Sequence, residues 1–327
     1  MQSLNKLPVR QIIQAILAVA ILVFIVMAAS KLVDQVEVMP DLLSFGFISA
    51  AVLAVVYRIV NAYGWSIVLA AQGDNVDGVQ ATRIWLISES RRWLPGGIWG
   101  YASRATMASD MGVPTTRASI SMILEMLLII IAAGFVSVPG AVLHWSKVAD
   151  AITQFLAGVP LFALAIGTGA CLVVGYLIRK PFMKKVKSFT GKFSSLKEMK
   201  IVKSQLLLAL VFFVAMNVLN GSVGICLLYS LGVDEYPPAS VVIAATAIAW
   251  LVGLFAIYSP GGIIVREGAF GVLLLPWMPY TTAFTLAILM RLLQVFAELV
   301  GLAAILGFDA WRRWHPKKSQ SVSSARH

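Results

Sequence analysis

From residue 204 to 231 the chain runs without a single Asp, Glu, Lys or Arg. That exceeds the roughly 18 apolar residues that nominate a membrane-spanning helix. Runs at 12–29, 44–62, 116–138, 155–178 and 281–308 are of the same kind, none with more than two charges. Within a bilayer only helices and closed barrels satisfy their own backbone, and runs of this length are helical. The rest of the composition agrees: 59% hydrophobic, 13% charged, mean hydropathy +0.86. A water-facing surface cannot be made from such a chain, which excludes a soluble enzyme, a disordered tail and a secreted disulfide scaffold. The expectation is an all-α polytopic membrane protein.

Motif chemistry is sparse. Cys171 and Cys226 both fall in apolar runs and imply no disulfide framework. His144, His315 and His327 are scattered, no metal-ligand spacing occurs, and there is neither a Walker loop nor a His-Glu-x-x-His. No cofactor is expected. The net charge of +11 does not indicate a nucleic-acid partner, because it is concentrated. Nine of the 26 Lys/Arg lie between Arg179 and Lys203, and five more follow Trp311. In a membrane protein such clusters mark cytoplasmic loops.

Two apolar segments, about 77–110 and 240–276, are interrupted by Pro-Gly-Gly: Pro95-Gly96-Gly97 and Pro260-Gly261-Gly262. Proline removes a backbone donor, paired glycines permit a sharp reversal, and broken backbone at bilayer depth must be buried in protein or line a wet cavity. Both segments read as re-entrant hairpins, giving about six full spans plus two hairpins. With both termini cytoplasmic, 22 of the 26 Lys/Arg lie inside, while the outer loops carry Asp34, Glu37 and Asp41, then Lys147 and Asp150, then Asp234 and Glu235. Lys6 and Arg10 before the first apolar run resemble a signal peptide, but that run is too long for one and reads as an uncleaved anchor.

A displacement of 165 positions superimposes the two broken segments. Pro95, Gly96, Gly97 and Ile98 fall on Pro260, Gly261, Gly262 and Ile263, and Pro114, Thr116 and Ala118 fall on Pro279, Thr281 and Ala283. Three full spans separate the copies, so the second opens to the opposite side. The expectation is an inverted repeat, as in many transporters, with copies at about 44–138 and 204–308, a basic loop at 179–203 and a tail at 309–327. Two unrelated Pro-Gly breaks are the bland alternative.

Ionisable residues also occur where lipid is expected: Arg104, Glu125, Arg266, Glu267, Arg291 and Glu298. Each costs about 2.5–3.5 kcal/mol at a helix centre on insertion scales, so they face one another or a hydrated cavity. Arg117, Ser121 and Glu125 form one helical stripe; Arg291, Gln294 and Glu298 form another. An ion pair of Arg291 with Glu125 or Glu267 is expected, serving substrate or serving only helix packing. Helices starting after each Pro-Gly-Gly present N–H groups and a positive dipole end, which favours an anion. Arg91, Arg92, Arg104 and Arg266 add full charge and suit a phosphate, although Arg91 and Arg92 also fit the role of interfacial anchors. Asn217, Asn220 and Ser222 read as packing polar groups, and Trp145, Trp277, Trp311 and Trp314 as an interfacial aromatic belt.

Arg92-Trp93-Leu94-Pro95-Gly96-Gly97-Ile98-Trp99-Gly100, followed by Arg104 and Glu125, resembles the first block of the flippase-like membrane family that includes the transmembrane region of lysylphosphatidylglycerol synthases. Ser259-Pro260-Gly261-Gly262-Ile263-Ile264-Val265-Arg266-Glu267-Gly268, with Arg291 downstream, resembles its second, a Pro-Gly-Gly-x-Gly-x-Arg-Glu pattern. The resemblance runs from about residue 10 to 310. Ile264 stands where that pattern often has a further glycine, which predicts a stiffer outer hairpin. Only the 19 residues of the tail follow the last apolar run, too few for the soluble aminoacyl-transferring domain of the bifunctional synthases.

The resemblance therefore implies a transporter that moves an anionic lipid, phospho- or prenyl-phosphate-linked, between leaflets of the cytoplasmic membrane. A separate enzyme makes the lipid. Two other classes stay open: an integral-membrane glycosyl or acyl transferase, and a non-transporting partner of an envelope-lipid or polysaccharide enzyme. The expected substrate-binding set is Arg91, Arg92, Pro95, Gly96, Gly97, Arg104, Glu125, Pro260, Gly261, Gly262, Arg266, Glu267, Arg291 and Glu298.

Overall fold

A computed structural model describes residues 40–91, 99–158, 201–233, 235–256, 262 and 264–314. The expected first span at 12–29, nearly all of the span at 155–178, the bulk of the basic loop and the end of the tail lie outside these residues. Among the described residues there are helices and no strand: α1 (Phe45–Ala71), α2 (Gly78–Ser90), α3 (Trp99–Ser109), α4 (Thr115–Leu143), α5 (Trp145–Gly158), α6 (Lys203–Leu231), α7 (Ala239–Phe255), α8 (Val265–Leu274) and α9 (Tyr280–Trp314).

Four of these are long and apolar enough to cross a membrane: α1, α4, α6 and the Tyr280–Phe308 part of α9. They carry Phe45, Phe135, Leu207 and Leu299 on their outer surfaces, each more than half exposed. An exterior of that kind is stable against lipid and would associate in water. The protein is a multi-pass membrane protein.

Helix ends follow local chemistry. Ser44 Oγ accepts from Phe47 N at 3.2 Å to start α1, and the Asp77 carboxylate accepts from Val79 N and Gln80 N at 3.3 Å to start α2. Pro114, Pro238 and Pro279 immediately precede α4, α7 and α9, where a missing N–H costs nothing. Gly232, at φ 60°, closes α6 in the left-handed conformation.

Several boundaries differ from expectation: the helix expected over 44–62 runs on to Ala71, and the one expected over 281–308 runs on to Trp314. The helix expected to end at Val138 continues through Pro139 to Leu143, giving up one backbone hydrogen bond close to its end. Lys147 and Asp150, assigned to a loop, lie on helix α5. Its Val148 and Ile152 pack into the main core and Ala151 is buried, while Trp145 and Lys147 stay exposed, so an amphipathic face dictates the helix.

The centre of the molecule is the contact between α1 and α6, which run antiparallel. Near the start of α1, a Cβ on Gly46 would sit 2.7 Å from Cys226 O; near its end, one on Gly64 would meet the Phe212 ring at 2.6 Å. Backbone bonds tie both ends, Asp41 N to Ser230 O at 3.1 Å and Val202 N to Ala71 O at 2.9 Å. Glycine lets the two backbones approach this closely.

The remaining helices pack about that contact in matching fashion. α1 packs on α2, α2 on α3, α3 on α4 and α4 on α1; α6 to α9 repeat the cycle. Between the sets, α4 touches α6 and α7, while α9 touches α1 and α2. Displaced by 165 residues, α3 falls on 264–274 beside α8 (Val265–Leu274), and Thr115 falls on Tyr280, where α9 begins. The broken segments are thus two helix pairs, α2 with α3 and α7 with α8, each pair in mutual contact.

Candidate functional site: two buried ion-pair clusters

The first cluster forms where α1, α2, α3, α4 and α9 converge. Arg104, on α3 and 3% exposed, donates from Nη1 to Glu125 Oε2 at 2.8 Å, from Nη2 to Glu89 Oε2 at 3.2 Å and from Nε to Ser88 Oγ at 3.0 Å. Trp85 Nε1 donates to Glu125 Oε1 at 2.8 Å, so both oxygens of that carboxylate are engaged. Arg58 Nη2 lies 2.7 Å from Glu298 Oε1 and 3.8 Å from Glu89 Oε1. The two guanidinium carbons stand 4.8 Å (Arg58) and 5.0 Å (Arg104) from the Trp85 ring centre, within cation–π range.

The α4 stripe is engaged throughout. Arg117 pairs with Asp74, Ser121 Oγ accepts from Trp65 Nε1 at 2.8 Å, and Glu125 binds as above. The Asp74–Gly78 stretch thereby has structural work: Asp74 holds Arg117 and Asp77 caps α2.

The second cluster joins α6, α8 and α9. Arg291 Nη1 donates to Glu267 Oε1 at 2.7 Å. Arg266 Nη1 reaches Gln294 Oε1 at 3.3 Å, and Gln294 Nε2 donates to Asn220 Oδ1 at 3.1 Å. Arg266 also lines a small cavity with Thr246, Ala249, Phe270, Ala287 and Met290. Glu267 is 3% exposed, and its Oε2 is buried without a hydrogen-bond partner.

The two clusters are built alike with reversed polarity. In the first, the arginine comes from the short helix α3 and the carboxylate from α4; in the second, the carboxylate comes from α8 and the arginine from α9. The stripe on α9 connects them, since Arg291 and Gln294 serve the second while Glu298 reaches Arg58 in the first. Seven residues of helix separate Arg291 from Glu298, about 10 Å along the axis.

Of the two partners offered for Arg291, Glu267 is the one found; Glu125 is held by Arg104 and Trp85 instead. Arg104, expected to face an anion, is clasped between two glutamates. Glu298 leaves the second cluster to join the first. Arg91 is exposed at the end of α2. Gly262 has φ 68°, and a Cβ there would lie 2.7 Å from Gly253 Cα, so its backbone lies directly on α7. Arg92, Pro95, Gly96, Gly97, Pro260 and Gly261 lie outside the described residues. Trp277 is buried with its ring edge-on to His144 at 5.7 Å, rather than facing lipid.

Arg58, Trp85, Ser88, Glu89 and Asn220 were missed as site residues. Trp85, Ser88 and Glu89 share one helical face by their i, i+3, i+4 spacing, and that was the available signal. Arg58 stands inside the apolar run 44–62, where a lone charge is itself a signal.

Residues 12–301 match the family model described as the lysylphosphatidylglycerol synthase TM region. The chain belongs to that family. No curated protein and no solved structure matches it. Membership of the lysylphosphatidylglycerol synthase TM region places the chain among membrane domains associated with flippase-like and lipid-synthesis proteins.

Proposed function

We propose that the protein is a flippase-like transporter that carries an anionic lipid between the leaflets of the cytoplasmic membrane. The observation that carries this reading is the pair of buried Arg–Glu clusters, one in each matching set of four helices, joined by the polar stripe on α9. Charge of this density inside apolar helices is costly to maintain, and in membrane proteins it marks substrate or ion pathways. An incoming phosphate competes with a carboxylate for the same guanidinium fork. Family membership supports the lipid as cargo.

The architecture in this reading is an inverted repeat. Its support is the antiparallel contact of α1 with its counterpart α6: a two-fold relation between antiparallel equivalents has its axis across the helices, hence in the membrane plane. The helix pairs α2/α3 and α7/α8 are the two re-entrant hairpins, opening to opposite faces, and both termini are cytoplasmic. The lipid headgroup travels along the polar stripe while its tail stays in the bilayer. In this reading the membrane helices move the lipid and perform no bond chemistry on it.

The test is reconstitution into liposomes with acyl-labelled fluorescent phosphatidylglycerol, followed by chemical quenching of the outer leaflet. Wild-type protein is expected to expose inner-leaflet label to the quencher, and Arg291→Ala and Glu267→Ala to abolish that exposure while still inserting. Wild-type rates in both variants would overturn the assignment of the second cluster.

A further inference from the structure

Within the second cluster the two carboxylate oxygens of Glu267 differ. Oε1 receives Arg291 at 2.7 Å; Oε2 is enclosed by protein and receives no donor. Glu125 in the first cluster shows what a completed carboxylate looks like here, with Trp85 on one oxygen and Arg104 on the other. Glu267 stands in the first turn of α8, whose preceding residue Ile264 supplies no side-chain cap. A buried acceptor without a donor is an unstable arrangement unless something else supplies the hydrogen.

The surroundings narrow what that is. α7 carries no ionisable residue along Ala239–Phe255. From α9 come Arg291, already bound to Oε1, and Tyr280, whose ring packs on Gly271 with its hydroxyl toward Gly268. Arg266, on the same helix as Glu267, reaches Gln294. α5 offers Lys147, whose ammonium lies over the Trp277 ring at 5.6 Å, and Asp150, which is exposed.

We propose that Glu267 takes up one proton on Oε2 when an anionic headgroup displaces it from Arg291, so that lipid anion and proton are bound together. This rests on the lipid-carrying reading above. Charge conservation is the argument. Across the two clusters, which the α9 stripe joins, Arg58, Arg104, Arg266 and Arg291 balance Glu89, Glu125, Glu267 and Glu298, so the resting protein holds no net charge there. A phosphodiester that takes over Arg291 leaves Glu267 as a bare carboxylate in a dry site, and such a group neutralises itself by binding a proton. The proton comes from water, Arg291 stays protonated throughout, and the two clusters together are again neutral: Arg291 is paired with phosphate, beside a carboxylic acid. On release the steps reverse. The anion therefore crosses the low-dielectric interior without net charge.

Linkage fixes the sign. Because binding takes up a proton, affinity falls as pH rises, by up to tenfold per pH unit while the free protein holds Glu267 ionised. The experiment uses the full chain in phosphatidylcholine nanodiscs, titrated with dihexanoyl phosphatidylglycerol across about pH 6 to 8. Calorimetry reads affinity and a pH indicator in weak buffer reads protons. The expected result is about one proton taken up per lipid bound in the wild type, with Glu267→Gln binding lipid without proton uptake and with a flat pH dependence. Wild-type binding without proton uptake, or an unchanged pH slope in Glu267→Gln, overturns the inference and leaves the transporter reading standing; the wild-type proton count decides even where the variant does not fold. Absence of lipid binding in the wild type removes both. Inorganic phosphate, run in parallel, is expected to bind far more weakly; equal affinity would overturn lipid as the anion.

Discussion

Arg104 brings a full charge into a site 3% exposed, where its three nitrogens are spent on Glu125, Glu89 and Ser88. Truncating it strands two glutamates, so Arg104→Ala is expected to cost about 3–5 kcal/mol of stability, read as a large fall in thermal midpoint in detergent. Glu125→Gln is expected to cost less, since its carbonyl still accepts from Arg104 and Arg104 keeps Glu89, and the loss is that of the Trp85 Nε1 bond, which then faces an amide N–H. Ile264 is strained differently. Its φ of 72° and ψ of −44° place a β-branched residue near the γ-turn conformation that few side chains adopt. Ile264→Gly is expected to stabilise the protein by roughly 1 kcal/mol net of glycine's extra unfolded-state freedom, and a lower thermal midpoint would contradict that. The departure was visible in the sequence as an isoleucine where the family pattern places glycine; the strain was not, because it depends on how Gly262 lies against Gly253. Charges at residues 125, 267 and 291 were legible because an ionisable group in an apolar run has few places to go. Partners contributed by distant helices were not, since no spacing rule links Arg58 to Glu298.

At the scale of the helices, glycine decides which pairs come close. The α1–α6 contact leaves no room for a side chain at Gly46, whereas Gly134 on α4 has nothing within 4 Å of an added Cβ. Gly46→Val is expected to lose about 1–3 kcal/mol by forcing two backbones apart, while Gly134→Ala stays within about 0.5 kcal/mol of wild type; parallel melts of the two variants make the comparison. The broken helices were readable because Pro-Gly-Gly acts through backbone chemistry alone. α5 was not, because the pattern of Val148, Ala151 and Ile152 becomes meaningful only once a core exists to receive it.

For the molecule as a whole, the backbone ties at the two ends of α1 put residues 41 and 230 at one end of the bundle and 71 and 202 at the other. The hairpin reading then predicts labelling from opposite faces. In a background freed of Cys171 and Cys226, Asp77→Cys and Asp110→Cys are expected to react with an impermeant maleimide from the same side, and Asp41→Cys and Glu235→Cys from the other. Reaction of the first two from opposite sides would make α2 and α3 a single crossing. A simple displacement of the sequence aligns the two sets of four helices that share one contact pattern. What it withheld was that the two copies meet through their first helices, since that face is marked only by glycines that are common in membrane helices.

The Arg58–Glu298 contact also bears on how the chain is made. Arg58 leaves the ribosome on the first helix of the first set, and Glu298 arrives on the last helix of the second. At 5–20 residues per second the interval is on the order of 10–50 s. During that interval Glu89 is the earlier carboxylate within reach, at 3.8 Å in the finished protein. Completion of the last helix thus closes the first cluster, and a nascent chain halted before residue 298 would expose Arg58 to whatever holds half-built membrane proteins at the site of insertion.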